Sequence, residues 1–491
     1  MRLLLRWIGR VALLACLVVA AVVLTWAVLS RHLPELRPWH RDAPRREARA
    51  TDLDGTVTLV DYLRREDEVM REVRDRIEGP TAAEARQSFN RYDPGSPLNP
   101  RRFRTDWNRT FELAPSRPGG GALLVHGMTD SPYSMRRLAR IFRESGYYAL
   151  ALRMPGHGTV PAGLAQARSE DWAAAVRLGV RHVRQRVGRD VPLVLVGYSN
   201  GGALVLDYAL DALEDPSLAR PDRLVLVSPM IGVAAAAGLS PLLSLLSGVP
   251  YFERSAWTGI QVEYNPFKYN SFPVAAAHQS ARLTSMLDRK LTRAAQSGRI
   301  GALAPVLTFQ SAVDATVVTG AVVDRLYGRL RGNGSALVIF DLNRVSGAAP
   351  LLQPEMQGLV KRLFLGQQRQ YRLSVVTNAS PETLDVVERD VAPEGTVIVD
   401  RALGLAWPRG VFSLSHVALP FPTDDPLYGT DPDPREDYGL RLGRLEPRGE
   451  RGVLGVSVED LMRLSCNPFF PYLEARLREW IRSGPPGGVS P

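Results

Sequence analysis

The sequence predicts an α/β fold, a mostly parallel sheet flanked by helices, and three observations carry that prediction. Short, mainly apolar runs recur at residues 122–125, 148–152, 193–196, 224–227, 306–309 and 336–340. Unbroken runs of this length are the pattern of strands covered on both faces. Stretches with helical spacing, such as 135–145 and 172–187, lie between them, and strand–helix alternation builds a parallel sheet. Finally, residues 191–206 join a buried strand, a Gly-rich turn and an apolar helix without a break.

The N-terminal division is residues 1–30. Residues 11–29 are uncharged and apolar, and at about 1.5 Å per residue they nearly match a hydrocarbon core of about 30 Å. One N-terminal transmembrane helix is expected. A cleaved signal sequence is the rival, because Arg2, Arg6 and Arg10 form a basic leader. The run exceeds a usual signal core and no small-x-small site closes it, which favours an uncleaved anchor. Arginines flank both sides of the run, and long domains translocate despite such charge. The expectation is a single-pass cell-membrane protein with its main domain extracytoplasmic, periplasmic if the cell is Gram-negative.

Residues 31–108 read as a Pro- and Arg-rich linker followed by an amphipathic helix. Leu59, Tyr62, Leu63, Val69, Met70, Val73 and Ile77 recur at helical spacing, with a charged, solvated face between them, up to Gly79-Pro80. Residues 109–231 form the first part of the core, opening on an edge strand at 110–113. Residues 232–303 break the rhythm with an aromatic-rich insertion, expected as a cap over the strand ends. Such a long interruption is uncommon unless it is functional. Residues 304–342 continue the core, and 343–410 form a second insertion with strand-like 373–376 and 396–399. Residues 411–483 close the core with a terminal helix near 471–481, and 484–491 read as a disordered tail.

Composition narrows the function classes. Lys and Arg exceed Asp and Glu by ten charges, but Arg is spread along the chain with no basic block interleaved with aromatics. Nucleic acid is therefore not an expected partner, while an anionic membrane surface is. Two cysteines, Cys16 and Cys466, exclude a disulfide framework. Asp424-Asp425 lacks the clustered ligands of a metal site and reads as a solvated turn. No metal or cofactor is expected, and oligomeric state is not legible.

The chemistry centres on Gly197-Tyr198-Ser199-Asn200-Gly201, a G-x-S-x-G nucleophile elbow in which Gly197 and Gly201 let strand and helix approach while the serine takes a strained backbone. A serine hydroxyl needs an oriented base, and the base needs an acid. Of seven histidines, His32 and His40 lie by the membrane, His182 on an Arg-rich helix and His278 in the cap. His126 flanks the turn after the first core strand, and His157 sits in a tight loop. His416 comes late, as the chain order serine, acid, histidine requires. Asp314, just past the strand at 306–309, is the candidate acid. Asp341 competes from the end of the next strand, and Asp324 is more remote. The oxyanion would be held by two backbone amides: Asn200, which starts the elbow helix, and Met128, in the loop after the first core strand.

These residues resemble the α/β-hydrolase superfamily, and within it the bacterial carboxylesterases, monoacylglycerol lipases and lysophospholipase-like enzymes. The resemblance is carried by His126-Gly127-Met128-Thr129-Asp130-Ser131-Pro132, Pro155-Gly156-His157-Gly158, the elbow, Ser311-Ala312-Val313-Asp314 and Ser415-His416. It covers residues 111–231 and 305–339 and the His416 segment. It implies the α/β-hydrolase fold, a Ser199-Asp314-His416 triad and ester hydrolysis through an acyl-enzyme. Two departures stand out: Met128 replaces the common aromatic of the oxyanion loop, and the 343–410 insertion separates the last core strand from His416. The expected function is a membrane-anchored serine hydrolase cleaving lipid-like or other hydrophobic acyl esters, with the cap lining an acyl pocket or its aromatics packing it onto the body. A peptidase, amidase or thioesterase on the same scaffold stays open, as does a non-catalytic membrane-anchored binding protein. Ser199 argues against dehalogenase and epoxide hydrolase chemistry, which uses a carboxylate nucleophile on this fold.

Overall fold

The computed structural model describes residues 33–79, 89–232, 250–314, 316–345, 369–444 and 463–483, with residues 7, 10, 14 and 364 besides. The expected membrane helix at 11–29, Leu14 apart, and the tail at 484–491 lie outside the described residues. Among the described residues no helix is long and apolar enough to cross a membrane.

The apolar runs form the strands β1 (Phe111–Leu113), β2 (Gly120–Val125), β3 (Tyr147–Leu152), β4 (Leu193–Tyr198) and β5 (Arg223–Val227). A small separate pair, β6 (Trp257–Gly259) and β7 (Phe272–Pro273), precedes β8 (Val306–Ser311), β9 (Ala336–Phe340), β10 (Arg372–Asn378), β11 (Asp385–Val391) and β12 (Val399–Ala406). All but β6 and β7 join one ten-stranded sheet of order β1-β3-β2-β4-β5-β8-β9-β10-β11-β12. From β3 to β10 every pairing is parallel. Strands β2, β3, β4, β5, β8 and β9 are buried at every residue, which is why their sequences show no polar alternation.

Alternate side chains serve the two faces. Leu123, Leu195 and Leu224 join one core, and Ala122, Val194 and Val225 the other. Helices α1 (Leu59–Val73), α2 (Arg136–Glu144), α3 (Ser169–Val187), α4 (Asn200–Glu214), α5 (Val274–Gln296) and α6 (Phe470–Arg482) surround the sheet. Helix α1 starts at a capping box in which Thr58 and Asp61 satisfy each other's backbone amides. On α5, Leu283, Leu287 and Leu291 recur every four residues and enter the same core as Leu206 of α4. Lys290 of α5 reaches Asp207 and Asp211 of α4 at 2.7 and 2.6 Å. Helix α5, within the stretch 232–303 expected as a cap, therefore flanks the body beside α4.

Two segments differ from the sequence expectation. Residues 343–410, read as an insertion, supply a parallel strand, β10, beside β9 and then the antiparallel strands β11 and β12. The Pro- and Arg-rich stretch read as a linker packs on the body, burying Leu36, Trp39 and Ala48. Glu47 from this stretch takes the buried Arg153 guanidinium bidentately at 2.8 and 3.1 Å, and Glu66 of α1 takes its Nε at 3.2 Å. The Tyr62 hydroxyl donates to the Arg153 carbonyl at 2.6 Å. The exposed charges of α1 do form a solvated face, but Glu66, in the middle of that run, points inward. Asp425 is likewise buried rather than solvated. It accepts the Tyr133 hydroxyl at 2.8 Å and faces Arg136 at 3.6 Å, because it caps the turn through the amides of Leu427 and Tyr428.

Candidate active site

At the end of β4 the chain must turn from strand to helix in one residue, and Ser199 does so with φ 54 and ψ −117. This left-handed backbone is rare outside glycine and costs about 1–3 kcal/mol unless the surroundings hold it. They do. The Ser199 amide donates to Val227 at 2.9 Å, and its carbonyl accepts from Met230 at 3.0 Å and from Gly202 at 3.0 Å. A Cβ on Gly197 would lie 2.4 Å from the Gly201 carbonyl oxygen, and one on Gly201 only 2.0 Å from that of Val125. Only glycine permits β2, β4 and α4 to meet this closely.

His416 Nδ1 lies 2.7 Å from Asp314 Oδ2, and both side chains are almost fully shielded from solvent. Asp314 follows β8. The amides of Thr316 and Val317 donate to its Oδ1 at 2.8 and 2.9 Å, and Gln310 Nε2 donates to its Oδ2 at 3.2 Å. Burial pushes its pKa up, but the hydrogen bond and charge of His416, with the two amides, outweigh burial and hold it below the ordinary carboxylate value. The His416 segment is fastened at both ends, since Ser311 Oγ donates to the Leu414 carbonyl at 2.9 Å and Ser415 Oγ to that of Leu464 at 2.6 Å.

Ser199 Oγ makes no hydrogen bond to a described residue. The elbow and the His416–Asp314 pair are instead joined through Tyr198. Its ring lies against the imidazole of His416 at 5.5 Å and 31°, and its hydroxyl donates to the His416 carbonyl at 3.4 Å. The amides of Met128 and Asn200, expected as oxyanion donors, have no acceptor among the described residues.

The competing residues are engaged elsewhere. His126 uses Nδ1 toward the Gly127 carbonyl at 2.9 Å and accepts the Met154 amide on Nε2 at 3.1 Å, and burial drives its pKa well below the ordinary value. Its ring stays neutral and ties the oxyanion loop to the Arg153-Met154-Pro155 turn. His157 is pulled down to about 4, chiefly by burial. His40 and His182 meet Ser271 Oγ at 2.9 Å and the Tyr148 hydroxyl at 3.0 Å. Asp341 accepts from Thr377 Oγ1 at 2.7 Å and Arg344 Nη2 at 2.8 Å, and Asp324 is exposed on the turn Val322–Leu326.

Several contacts around the site had no signal in the sequence beyond the aromatic richness of 251–272. Phe267 stacks on Tyr133 at 4.3 Å, and Tyr269 donates its amide to the Thr129 carbonyl at 2.9 Å and its hydroxyl to that of Gly156 at 3.0 Å. These two aromatics pack their segment onto the oxyanion loop. Lys268 between them faces the buried Asp130 of that loop at 3.8 Å. A cavity of about 220 Å³ is lined in part by Lys268, Tyr264, Tyr428, Arg463 and Val417, the residue that follows His416.

Residues 116–341 match the family model described as "Serine aminopeptidase, S33". Over 204 residues the chain is 28% identical to a thermostable monoacylglycerol lipase of Bacillus sp. (strain H-257), covering 41% of this chain and 72% of that protein. Among solved structures it is similar to one from work on LipS and LipT, two metagenome-derived lipolytic enzymes, with 23% identity, TM-score 0.39 and coverage of 52% of this chain and 96% of the other. The monoacylglycerol lipase of Paleococcus ferrophilus gives 17% identity, TM-score 0.36 and coverage of 47% and 87%. On the family match and an elbow whose central residue is serine, residues 116–341 are an α/β-hydrolase region and the protein is a serine hydrolase.

Proposed function

We propose that the protein is a membrane-anchored esterase acting on lipid-like or other hydrophobic acyl esters, with Ser199 as nucleophile, His416 as base and Asp314 as the acid that orients it. The observation that carries this reading is the His416–Asp314 hydrogen bond at the same sheet end as the strained elbow. Asp314 fixes His416 with its proton on Nδ1, which leaves Nε2 to take the Ser199 proton. Oγ then attacks the acyl carbon, and the oxyanion rests on the amides of Met128 and Asn200. Each such donor is worth about 3–4 kcal/mol in the transition state. His416 returns the proton to the leaving alkoxide, and the acyl-enzyme remains. Water, deprotonated by the same histidine, releases the acid. The absent Ser199–His416 hydrogen bond is in keeping with sites that tighten only around substrate.

The ester reading is supported by the name of the 28% identical relative. The family description, which names an aminopeptidase, favours a second reading, cleavage of an amide at a peptide amino terminus. The anchor is supported by the apolar run at 11–29, with the catalytic domain outside the cytoplasm. Purified protein should be labelled by a fluorophosphonate probe and should hydrolyse medium-chain aryl esters faster than aminoacyl arylamides, and Ser199→Ala should lose both labelling and hydrolysis. Labelling that survives in Ser199→Ala would falsify the nucleophile assignment, and faster arylamide cleavage would select the peptidase.

A further inference from the structure

We infer that the cavity beside His416 holds the leaving-group side of the substrate and selects an ester whose alcohol carries an anion, a phosphate or a carboxylate. The inference rests on the esterase reading and names its substrate class.

The direction comes from the chemistry. The histidine that takes the serine proton must return it to the leaving oxygen. The leaving group therefore extends over the His416 side of the site, and the cavity begins at the next residue, Val417. Its volume of about 220 Å³ is several times the roughly 30 Å³ of one water, enough for a small head group.

The chemistry of its wall decides what that group is. Lys268 and Arg463 border the cavity, with the amides of Gln261 and Asn270 and the rings of Tyr264 and Tyr428, and no described lining residue is a carboxylate. Val417, Leu442 and the tyrosine rings give the wall an apolar part that suits the carbon skeleton of the group, and the two cations are what separates an anionic group from a neutral polyol. Two acids stand just behind the wall: Asp130, 3.8 Å from Lys268 on the oxyanion-loop side, and Glu263, whose carboxylate is occupied by the backbone amides of Asn270 and Ser271 at 3.0 and 2.8 Å. Asp130 takes at most one of the three ammonium protons of Lys268, and the set of Lys268, Arg463 and Asp130 carries +1.

The backbone that carries the two cations is fastened on both sides of the cavity. The Tyr269 amide bonds to Thr129, and Asn265 Nδ2 bonds to the Tyr428 hydroxyl at 2.8 Å, which fixes the backbone on either side of Lys268. Arg463 precedes Leu464, whose carbonyl accepts from Ser415, and Ser465 Oγ donates to the Tyr428 carbonyl at 3.0 Å. One of the two cations is thus tied to the oxyanion loop and the other to the His416 loop. Placing both backbones in advance leaves only the long side chains to be ordered when an anion binds.

The test compares three esters of one acyl chain on the full-length protein: a monoacylglycerol, the corresponding acylglycerol 3-phosphate and an O-acyl glycerate. Wild type should favour one or both anionic esters by about tenfold or more in kcat/KM, through KM. The arm that is favoured identifies phosphate or carboxylate as the anion. In Arg463→Ala and Lys268→Ala the anionic-to-neutral ratio should fall by a similar factor, with fluorophosphonate labelling showing that the site still forms. Arg463→Lys should keep most of the preference. Hydrolysis of the neutral ester with no anionic preference, or an equal loss on all three esters in both variants, overturns this inference and leaves the esterase reading standing. Failure of wild type to take any of the three, with no probe labelling, overturns both.

Discussion

Asp314 combines two tasks in one carboxylate. It orients His416 through Oδ2 and caps its own turn through Oδ1. Asp314→Asn keeps the size but lets the imidazole bind in the wrong tautomer, so kcat should fall about 10⁴-fold with KM little changed. The same residue makes a stability prediction. Its folded pKa lies below the ordinary carboxylate value, so its contribution is complete above about pH 4 and is lost as pH falls through the lower folded value. Thermal melts of wild type should therefore drop more steeply below pH 4 than those of Asp314→Asn, and the two curves should converge in acid. Parallel curves would remove Asp314 as a source of acid sensitivity. The competitor Asp341 is excluded by its partners, Thr377 and Arg344, neither of which is visible from a position at a strand end.

The elbow is an element-scale device, because its glycines act through the distance between β2, β4 and α4. Gly201→Ala would set a Cβ 2.0 Å from the Val125 carbonyl oxygen and force strand and helix apart. It should destabilise by about 1–3 kcal/mol in denaturant melts and abolish probe labelling. At Gly55 nothing lies within 4 Å of an added Cβ, so alanine there should stay within about 0.5 kcal/mol. The parallel strands and their helices were legible in the sequence because double-sided burial leaves unbroken apolar runs. Strands β11 and β12 were not. β12 is largely exposed and β11 carries Glu388, Arg389 and Asp390, so neither shows the apolar run of a covered strand. Helix α5 was placed in a cap because an interruption in the strand–helix rhythm does not reveal where the chain next packs.

For the whole molecule, the chief surprise is the N-terminal segment. Arg and Pro in quantity read as a solvated linker, since composition cannot show that Glu47 meets a guanidinium 106 residues away. Removing one partner of a buried ion pair leaves a charge without compensation. Glu47→Ala should cost about 3–5 kcal/mol in equilibrium melts, whereas alanine at the half-buried Glu68, whose partner Arg46 is exposed, should cost less than about 1 kcal/mol. An equal, small effect at both positions would show that Arg153 finds compensation elsewhere. Chain order and strand ends suffice to nominate Ser199, Asp314 and His416, and the structure sets the last two 2.7 Å apart. The partnership of Lys268 with Asp130 was not, because it joins loops from different parts of the chain. The distance in sequence between Asp314 and His416, 102 residues, has a further consequence for biosynthesis. A nascent chain that ends before residue 411 can hold the serine and its acid but no base, and Ser415 finds its acceptor only once Leu464 has emerged. With the proposed triad, activity would be withheld until nearly the whole chain has been translated, and its appearance would report completed synthesis rather than early folding of the sheet.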